Sequence, residues 1–228
     1  MTAHMDTIVI GASGGIGAAL AQLYEERGDR VHRLSRSAGG MDLADPASIA
    51  AAPDALPFPA AERLVIATGL LHEDGLSPER SLRDLDQQRL ARAFQINAIG
   101  PALVLRHLVP RLARSGRVEV AVLSARVGSI ADNRLGGWYG YRASKAALNQ
   151  LVRTAAIEVA RSRPEAVVVA LHPGTVDTAM SRPFQANVAP ERLFTSSRAA
   201  EALAGVLDRL APADSGGFFD WKGEAIPF

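Results

Sequence analysis

A chain of 228 residues, of which 48% are apolar and 21% charged, has the composition of an ordinary globular protein and is long enough to bury a substantial core. Its 25 basic and 24 acidic residues give a formal charge of +1, so no general attraction for nucleic acid or for an anionic membrane surface is expected. The absence of cysteine excludes disulfides, thiolate metal ligands and cysteine nucleophiles.

Residues 1–6 do not combine a basic segment with an apolar one, as a secretory signal peptide would. No apolar run approaches the ~20 residues that are needed to cross a bilayer. The five histidines show no ligand spacing, so no metal site is expected. We therefore expect a cytoplasmic protein without a membrane or nucleic-acid partner.

Apolar runs alternate with segments of helical periodicity along the chain. Buried strands are predicted at residues 7–10, 30–34, 63–67, 118–123 and 166–171, and helices at 15–27, 86–114, 138–160 and 197–210. This alternation indicates an α/β fold, a doubly wound parallel sheet with helices on both faces, which is the three-layer α/β/α Rossmann arrangement. Residues 37–59 contain no convincing strand, so the third βα unit is predicted to be shortened within a single domain spanning 1–228.

The first predicted strand runs into a glycine-rich turn, GASGGIG at residues 11–17, and the first helix follows. Glycine permits a tight turn and a close approach of the backbone to a pyrophosphate, and the helix N-terminus offers free N–H groups to the anion. Two spacings are open, Gly11/Gly15/Gly17 and Gly11/Gly14/Gly17, and a flexible turn without a ligand is the alternative. The turn residues expected to bind a dinucleotide are Gly11, Ser13, Gly14, Gly15, Ile16 and Gly17.

The end of the second strand, with Arg33, Ser35 and Arg36, has no carboxylate. An acidic residue there would accept a hydrogen bond from the ribose 2′-hydroxyl, whereas an arginine accommodates a 2′-phosphate. Arg36 offers a planar fork, Ser35 a hydroxyl and Arg33 a second charge nearby. The segment favours NADP(H) over NAD(H), unless the arginines are only surface charge.

Tyr141 and Lys145 lie four residues apart at the start of a predicted helix, so they occupy one helical face. A tyrosine has a pKa of about 10 and is a poor base at neutral pH. The lysine ammonium, together with the positive charge of a nicotinamide, is expected to lower that pKa. In the reductive direction the tyrosine would give its proton to the forming alkoxide. Tyr139 lacks such a partner, because residue 143 is alanine.

The order of these motifs resembles the short-chain dehydrogenase/reductase family over nearly the whole chain. The landmarks are the glycine turn 11–17, Ala67-Thr68-Gly69, Asn97 in a helix, Ser124 at a strand end, Tyr141 with Lys145, and Pro173-Gly174. The segment from Ser129 to Gly140 resembles the subgroup of Sniffer-type carbonyl reductases and bacterial C-factor-like proteins. The resemblance implies an oxidoreductase that transfers hydride between a nicotinamide and a small-molecule ketone, aldehyde or quinone.

The resemblance also implies roles for single residues. It assigns Asn97 to a water-mediated proton relay from Lys145, and it gives Lys145 a further contact with the nicotinamide ribose. Asp42 matches an adenine contact, with a helix N-cap as the alternative. The other cofactor contacts that it implies are Leu43, Ala67, Thr68, Gly69, Pro173, Gly174, Val176 and Thr178, together with Asn97 and Tyr141.

One position departs from the family pattern, which commonly has two serines at the end of the fifth strand, the second of which orients the substrate. This chain has Ser124-Ala125 there. Ser124 is assigned the role because it ends the strand, and Ser129 is the alternative.

The substrate pocket is expected to be lined by Ile130, Trp138, Tyr139 and residues 180–194, and the segment 180–196 is predicted to be a substrate loop that orders on binding. Its aromatic residues favour an apolar or aromatic carbonyl. The alternative function is that of a C-factor-like nucleotide-binding signalling protein with little catalysis. Members of the family usually pair long helices across two-fold axes, so a homodimer or homotetramer is expected.

Overall fold

The computed structural model describes residues 4–228, so predictions that concern residues 1–3, including part of the signal-peptide expectation, lie outside it. Strands β1 to β5 and β8 form one parallel sheet in the order β2-β1-β3-β4-β5-β8, and β6 pairs with β7. The strands are β1 (Asp6–Ile10), β2 (Arg30–Leu34), β3 (Arg63–Ile66), β4 (Val118–Leu123), β5 (Ala166–His172), β6 (Thr175–Val176), β7 (Leu193–Phe194) and β8 (Phe218–Asp220).

Helices cover both faces of the sheet, which confirms the doubly wound, three-layer prediction. They are α1 (Gly15–Glu26), α2 (Pro46–Ala51), α3 (Gln87–Phe94), α4 (Gly100–Leu108), α5 (Tyr139–Ala160) and α6 (Ser196–Arg209). Side chains such as Ile8 and Val120 enter one core with α2, α4 and α5. Their strand neighbours, such as Val9 and Ala121, enter the other core with α1 and α6, as strand alternation requires.

The third βα unit is shortened, as predicted. Between β2 and β3 the chain forms only α2 and a short 3-10 turn, and no strand of residues 4–228 extends the sheet beyond β2. The predicted helix 86–114 is divided instead of continuous, because a π-helical turn at Gln95–Ile99 separates α3 from α4.

No helix within residues 4–228 is both long and apolar enough to span a membrane. In the same part of the chain, no group of three or more histidine, cysteine or acidic side chains is placed to hold a metal ion.

Candidate active site

Two adjoining cavities open at the carboxyl edge of the sheet. The turn cavity, about 250 Å³, is lined by the glycine turn and by residues that follow β2 and β3. The Tyr141 cavity, about 420 Å³, lies beside the ends of β4 and β5. Met180 lines both. The strand order reverses direction between β1 and β3, and open α/β sheets bind their ligands at this point.

The space around each glycine of the turn distinguishes between the two spacings, which differ only in Gly14 or Gly15. Gly11 has φ +83°, and a Cβ there would lie 2.5 Å from the Ala67 carbonyl oxygen. A Cβ at Gly17 would lie 2.2 Å from the Gly11 carbonyl oxygen, and one at Gly15 would lie 2.8 Å from a side-chain oxygen of α6. At Gly14 the nearest atom would be 3.4 Å away. The steric requirement therefore follows Gly11/Gly15/Gly17.

The end of β2 brings Ser35 and Arg36 to the turn cavity, but not Arg33. Arg33 donates two hydrogen bonds to Glu25 of α1, at 2.9 and 2.8 Å, so the prediction that it adds charge to the cofactor site is wrong. The reason is strand alternation: Arg33 shares a face of β2 with Val31, which packs in the core beside α1. Arg36 follows the strand and is exposed.

Asp42 and Leu43 also line the turn cavity. Asp42 accepts a hydrogen bond from the Ala44 amide at 2.9 Å, whereas Asp45 caps α2 by accepting from the Ala47 amide at 3.0 Å. The helix-cap alternative for Asp42 is therefore wrong, and its contact with an adenine stays a prediction.

The segment after β3 joins the two cavities. Ala67, Thr68 and Gly69 line the turn cavity, and Thr68 Oγ1 is buried with no hydrogen-bond partner among the described residues. A buried hydroxyl without a partner is uncommon and marks a place where a ligand would satisfy it. A Cβ at Gly69 would lie 3.5 Å from Lys145 Nζ and 3.6 Å from Asn97 Oδ1, so Gly69 lies close to the predicted catalytic side chains.

Asn97 lies in the π-helical turn and is fully buried. Its Nδ2 donates to the Leu70 carbonyl at 2.8 Å and to Ser144 Oγ at 3.0 Å, and its Oδ1 accepts from the Leu70 amide at 2.7 Å. Asn97 therefore fixes the segment after β3 to α5. Its part in a water relay stays a prediction.

Lys145 lies beside Tyr141, and of the two only Tyr141 lines the Tyr141 cavity. Lys145 is 2% exposed, and its Nζ donates to the Leu123 carbonyl at 2.9 Å and lies 6.0 Å from the centre of the Tyr141 ring. Burial lowers the pKa of Lys145 to about 7 and raises the pKa of Tyr141 to about 12. Among the protein's own groups, desolvation dominates the pKa of Tyr141. That Lys145 and the positive charge of a bound nicotinamide together lower this pKa stays a prediction. Tyr141 is a protonated phenol at neutral pH.

The start of α5 is held by a distant acidic residue. Glu79 is buried; its Oε2 accepts from the Gly140 amide at 3.0 Å and its backbone carbonyl accepts from the Trp138 amide at 2.5 Å. Trp138 has φ 52°, the one left-handed non-glycine residue found within 4–228, and it provides no side-chain cap to α5. Glu79 supplies the missing cap from 61 positions away, so no local pattern marked it.

Ser124 lines the Tyr141 cavity, whereas Ser129 lines a separate depression. Ser124 Oγ donates to Asn149 Oδ1 at 2.6 Å. The Asn149 amide is oriented by its Nδ2, which donates to the Gly128 carbonyl at 3.4 Å. A hydroxyl has one proton, so Ser124 faces the cavity as an acceptor only. Ser124 therefore lies in the same cavity as Tyr141, but its hydroxyl group donates its hydrogen bond to Asn149.

Aromatic and aliphatic side chains dominate the Tyr141 cavity. Trp138 meets Phe184 edge-on at 5.2 Å and Tyr141 at 6.3 Å between ring centres, which confirms Trp138 as a lining residue. The 180–194 segment contributes Met180, Ser181, Phe184 and Val188.

Three predicted lining residues lie elsewhere. Ile130 and Tyr139 line the depression that holds Ser129, because Tyr139 is two residues before Tyr141 and so lies on another side of α5. Phe194 is 3% exposed and packs with Val176 in a small core.

The structure adds two polar residues that the sequence analysis did not place in the site, Arg126 and His172. His172 ends β5, and its Nδ1 is buried with no partner in the described chain. Burial lowers the pKa of His172 to about 4, so its imidazole is neutral at physiological pH. Both residues lie at or just after the carboxyl end of a parallel strand, and that position was the available signal.

The segment after β5 completes the Tyr141 cavity. Pro173, Gly174, Val176 and Thr178 all line it, and Gly174 has φ +80°. Pairing of β6 with β7 ties this segment to the end of the 180–194 segment. The predicted nicotinamide contacts therefore lie beside Tyr141.

Residues 6–189 match the family described as short chain dehydrogenase. The chain belongs to this family. The resemblance and the Rossmann fold inferred from the sequence are thereby confirmed, and the protein is an oxidoreductase of the short-chain dehydrogenase/reductase family.

Two curated relatives illustrate the range of the family. The C-signal of Myxococcus xanthus is 40% identical over 149 residues, which is 65% of this chain and 84% of the relative. The 1-hydroxy-2-glutathionyl-2-methyl-3-butene dehydrogenase of Rhodococcus sp. (strain AD45) is 30% identical over 223 residues, 92% of this chain and 94% of the relative.

Solved structures share the whole fold. An NADPH-bound carbonyl reductase from chicken fatty liver aligns with a TM-score of 0.81 at 23% identity over 99% of each chain. The carbonyl reductase Sniffer of D. melanogaster aligns with a TM-score of 0.80 at 19% identity over 99% of this chain and 100% of its own.

Proposed function

We propose that this oxidoreductase reduces a carbonyl compound with NADPH, with Tyr141 as the proton donor. The observation that carries the proposal is the position of Tyr141: a phenol that keeps its proton at neutral pH faces an apolar cavity, with Lys145 behind it. This cavity adjoins the glycine turn.

The residues present fit a nicotinamide dinucleotide. The turn lacks side chains where a pyrophosphate must approach. Among the described residues, none caps the start of α1 with its side chain and none pairs with the buried Thr68 hydroxyl. Ser13, Gly14, Ser35 and Arg36 would hold the adenosine end in the turn cavity. Pro173, Gly174, Val176 and Thr178 would hold the nicotinamide in the Tyr141 cavity.

Bound NADPH supplies the hydride in this chemistry. The protein's part is to orient the carbonyl and to deliver a proton to its oxygen. Tyr141 gives its phenol proton to that oxygen as negative charge develops there. Lys145, with a pKa of about 7, is placed to return a proton to Tyr141 near neutral pH. The raised pKa of Tyr141 suits the reductive direction, in which the tyrosine begins protonated.

The choice of NADPH over NADH rests on Arg36, which lines the turn cavity where no carboxylate follows β2 directly. The chicken carbonyl reductase with the same fold holds NADPH, which supports the choice. Replacing Arg36→Ala is expected to weaken NADPH binding by about 10- to 100-fold, from the loss of charge-assisted bonds to a phosphate, and to change NADH binding little. Arg33→Ala is the matched control, because Arg33 is paired with Glu25. Equal losses for both cofactors would refute the assignment.

The reaction is tested by NADPH consumption with a panel of diketones, quinones and aldehydes. Tyr141→Phe is expected to lower kcat/KM by about 10²- to 10⁴-fold, the usual contribution of a general acid. NADPH affinity should stay within a few-fold. Tyr139→Phe is the matched control, because Tyr139 faces a different depression. Full activity in Tyr141→Phe would overturn the mechanism.

A signalling protein with little catalysis is the second candidate. It is supported by the similarity to the C-signal and by Ser124, whose proton is held by Asn149. Tight NADPH binding without reduction of any panel member would favour it.

Assembly into a homodimer or homotetramer and a cytoplasmic location stay predictions. The groove between α4 and α5, lined by Ala102, Arg106, Leu151 and Glu158 among others, offers a surface for assembly. Sedimentation equilibrium would test the oligomeric state.

A further inference from the structure

Arg126 gives the Tyr141 cavity a single charge. It lies in the short turn Arg126–Gly128 that follows β4, and it is the one described lining residue with a full charge at neutral pH. The other lining side chains include Leu71, Val127, Trp138, Met180 and Phe184, and none of the lining residues that the structure describes is a carboxylate. A small-molecule site of this kind typically combines apolar walls with a few polar groups that fix the orientation of the ligand.

Arg126 does not hold either of its present partners with two parallel hydrogen bonds. Nη1 donates to Asp132 and Nη2 to Asp220, each at 3.2 Å, so two of the five N–H donors of the guanidinium are engaged with two different carboxylates. Other arginines of this chain hold one carboxylate with two bonds: Arg30 holds Asp6 at 2.7 and 2.6 Å. The paired-donor geometry that suits a carboxylate is therefore still available at Arg126.

Both aspartates also have other surroundings that stabilise their charge. Asp220 Oδ1 accepts from the backbone amides of Lys222 at 2.9 Å and Glu224 at 3.1 Å. The side chain of Asp132 is 40% exposed and that of Arg126 is 43% exposed, so water solvates this pair. An exposed ion pair such as Arg126–Asp132 contributes little, so Arg126 can release Asp132 to bind a ligand. Asp220 is buried, with its side chain 6% exposed, and it keeps its two backbone amide donors when Arg126 binds a ligand.

We propose that Arg126 binds a carboxylate of the substrate, so that the preferred substrates are apolar carbonyl compounds that carry a carboxylate. This inference rests on the proposed carbonyl reduction at the same site. The apolar walls enclose the hydrocarbon part, Arg126 holds the acid group, and the carbonyl is directed to Tyr141, which lines the same cavity. Arginine suits this role because its planar donors match the two carboxylate oxygens.

The test compares 4-formylbenzoate with its methyl ester, two aldehydes of the same ring system that differ in charge. The wild-type protein is expected to prefer 4-formylbenzoate in kcat/KM with NADPH by about 10- to 100-fold, the value of charge-assisted hydrogen bonds. Arg126→Gln should bring the ratio of kcat/KM for the acid to kcat/KM for the ester down to about one, chiefly by raising KM for the acid. Arg134→Gln removes an equal charge at an exposed residue of a nearby loop and should keep the preference.

Equal losses for acid and ester in Arg126→Gln, with an unchanged melting temperature, would show that Arg126 only ties β4 to β8, and would overturn the proposal. No preference in the wild-type protein would also overturn it. Calorimetric titration of the NADPH-loaded protein with benzoate and methyl benzoate separates binding from chemistry. Binding of benzoate that Arg126→Gln abolishes, without reduction of either aldehyde, would support the carboxylate site and refute carbonyl reduction. Absence of benzoate binding would refute the site.

Discussion

Replacement of Gly17 by alanine tests how the glycine turn approaches its ligand. The new methyl group would lie 2.2 Å from the Gly11 carbonyl oxygen and 2.8 Å from its carbon. Neither atom can yield, because Gly11 is itself in contact with Ala67 and its amide donates to the Leu34 carbonyl at 2.8 Å. Relief of the overlap requires α1 to move by roughly 1 Å away from β1. Overpacking of this kind costs about 1–3 kcal/mol, and a displacement of that size lowers activity by about 10²-fold.

The assays are urea unfolding and fluorescence titration with NADPH. Gly17→Ala is expected to lower the free energy of unfolding by about 2 kcal/mol and NADPH affinity by about 100-fold. Gly14→Ala is the comparison, since its methyl group would lie 3.4 Å from the nearest atom, and its loss of affinity should stay below about tenfold. An equal loss in the two variants, or NADPH binding by Gly17→Ala within threefold of wild type, would refute the steric argument.

Two further predictions concern α5. The pKa of Lys145 is about 7 in the folded protein and about 10.5 when unfolded, so the unfolded state binds more protons between these values and this lysine's contribution to stability rises with pH across the window. The unfolding free energy of the wild type, relative to that of Lys145→Met, should therefore rise by about 2–3 kcal/mol from pH 7.5 to pH 9.5. Lys222→Met, at an exposed lysine, serves as the control. A difference between wild type and Lys145→Met that is constant with pH would contradict the burial of the charge. Glu79→Ala should cost about 1 kcal/mol in urea unfolding through the lost side-chain cap on Gly140. It should also lower kcat, because the start of α5 beside Tyr141 loses this anchor, whereas Glu165→Ala, at an exposed turn, should change neither. An unchanged kcat in Glu79→Ala would remove Glu79 from the positioning of the site.

The sequence predicts the strands that lie in the middle of the sheet because their apolar runs are buried on both faces. Among these strands, β4 begins and ends at the predicted residues. The edge strand β2 also begins and ends as predicted, although most of its residues are only partly buried. β8 was not predicted, since its three residues follow two glycines and carry no periodicity that could be distinguished from a loop. The π-helical turn around Asn97 interrupts a helix without any change in hydrophobic pattern, so periodicity alone predicted one long helix.

The residues of the site divide in the same way. Gly11, Gly17 and Tyr141 could be predicted, because each belongs to a local motif whose spacing reflects the chemistry. Glu79 and Arg126 could not, since their contacts depend on chain segments that meet only in the folded protein. The pairing of Arg33 with Glu25 could not be predicted for the same reason. The sequence places the Arg33 charge near the site, and only the pleat of β2 turns the Arg33 side chain toward α1.

The shortened third βα unit leaves β2 as the edge of the sheet, and this has a consequence for how the protein behaves at high concentration. An edge strand offers unpaired backbone groups to another chain, and charged side chains on such a strand discourage edge-to-edge association. Here Arg30 and Arg33 stand on β2, each fixed by two hydrogen bonds to a carboxylate, Asp6 or Glu25. Arg30 also lies over the Phe58 ring, with 5.1 Å between the guanidinium carbon and the ring centre. An incoming strand would bring its own backbone against these anchored charges, so we expect β2 to resist edge-to-edge association.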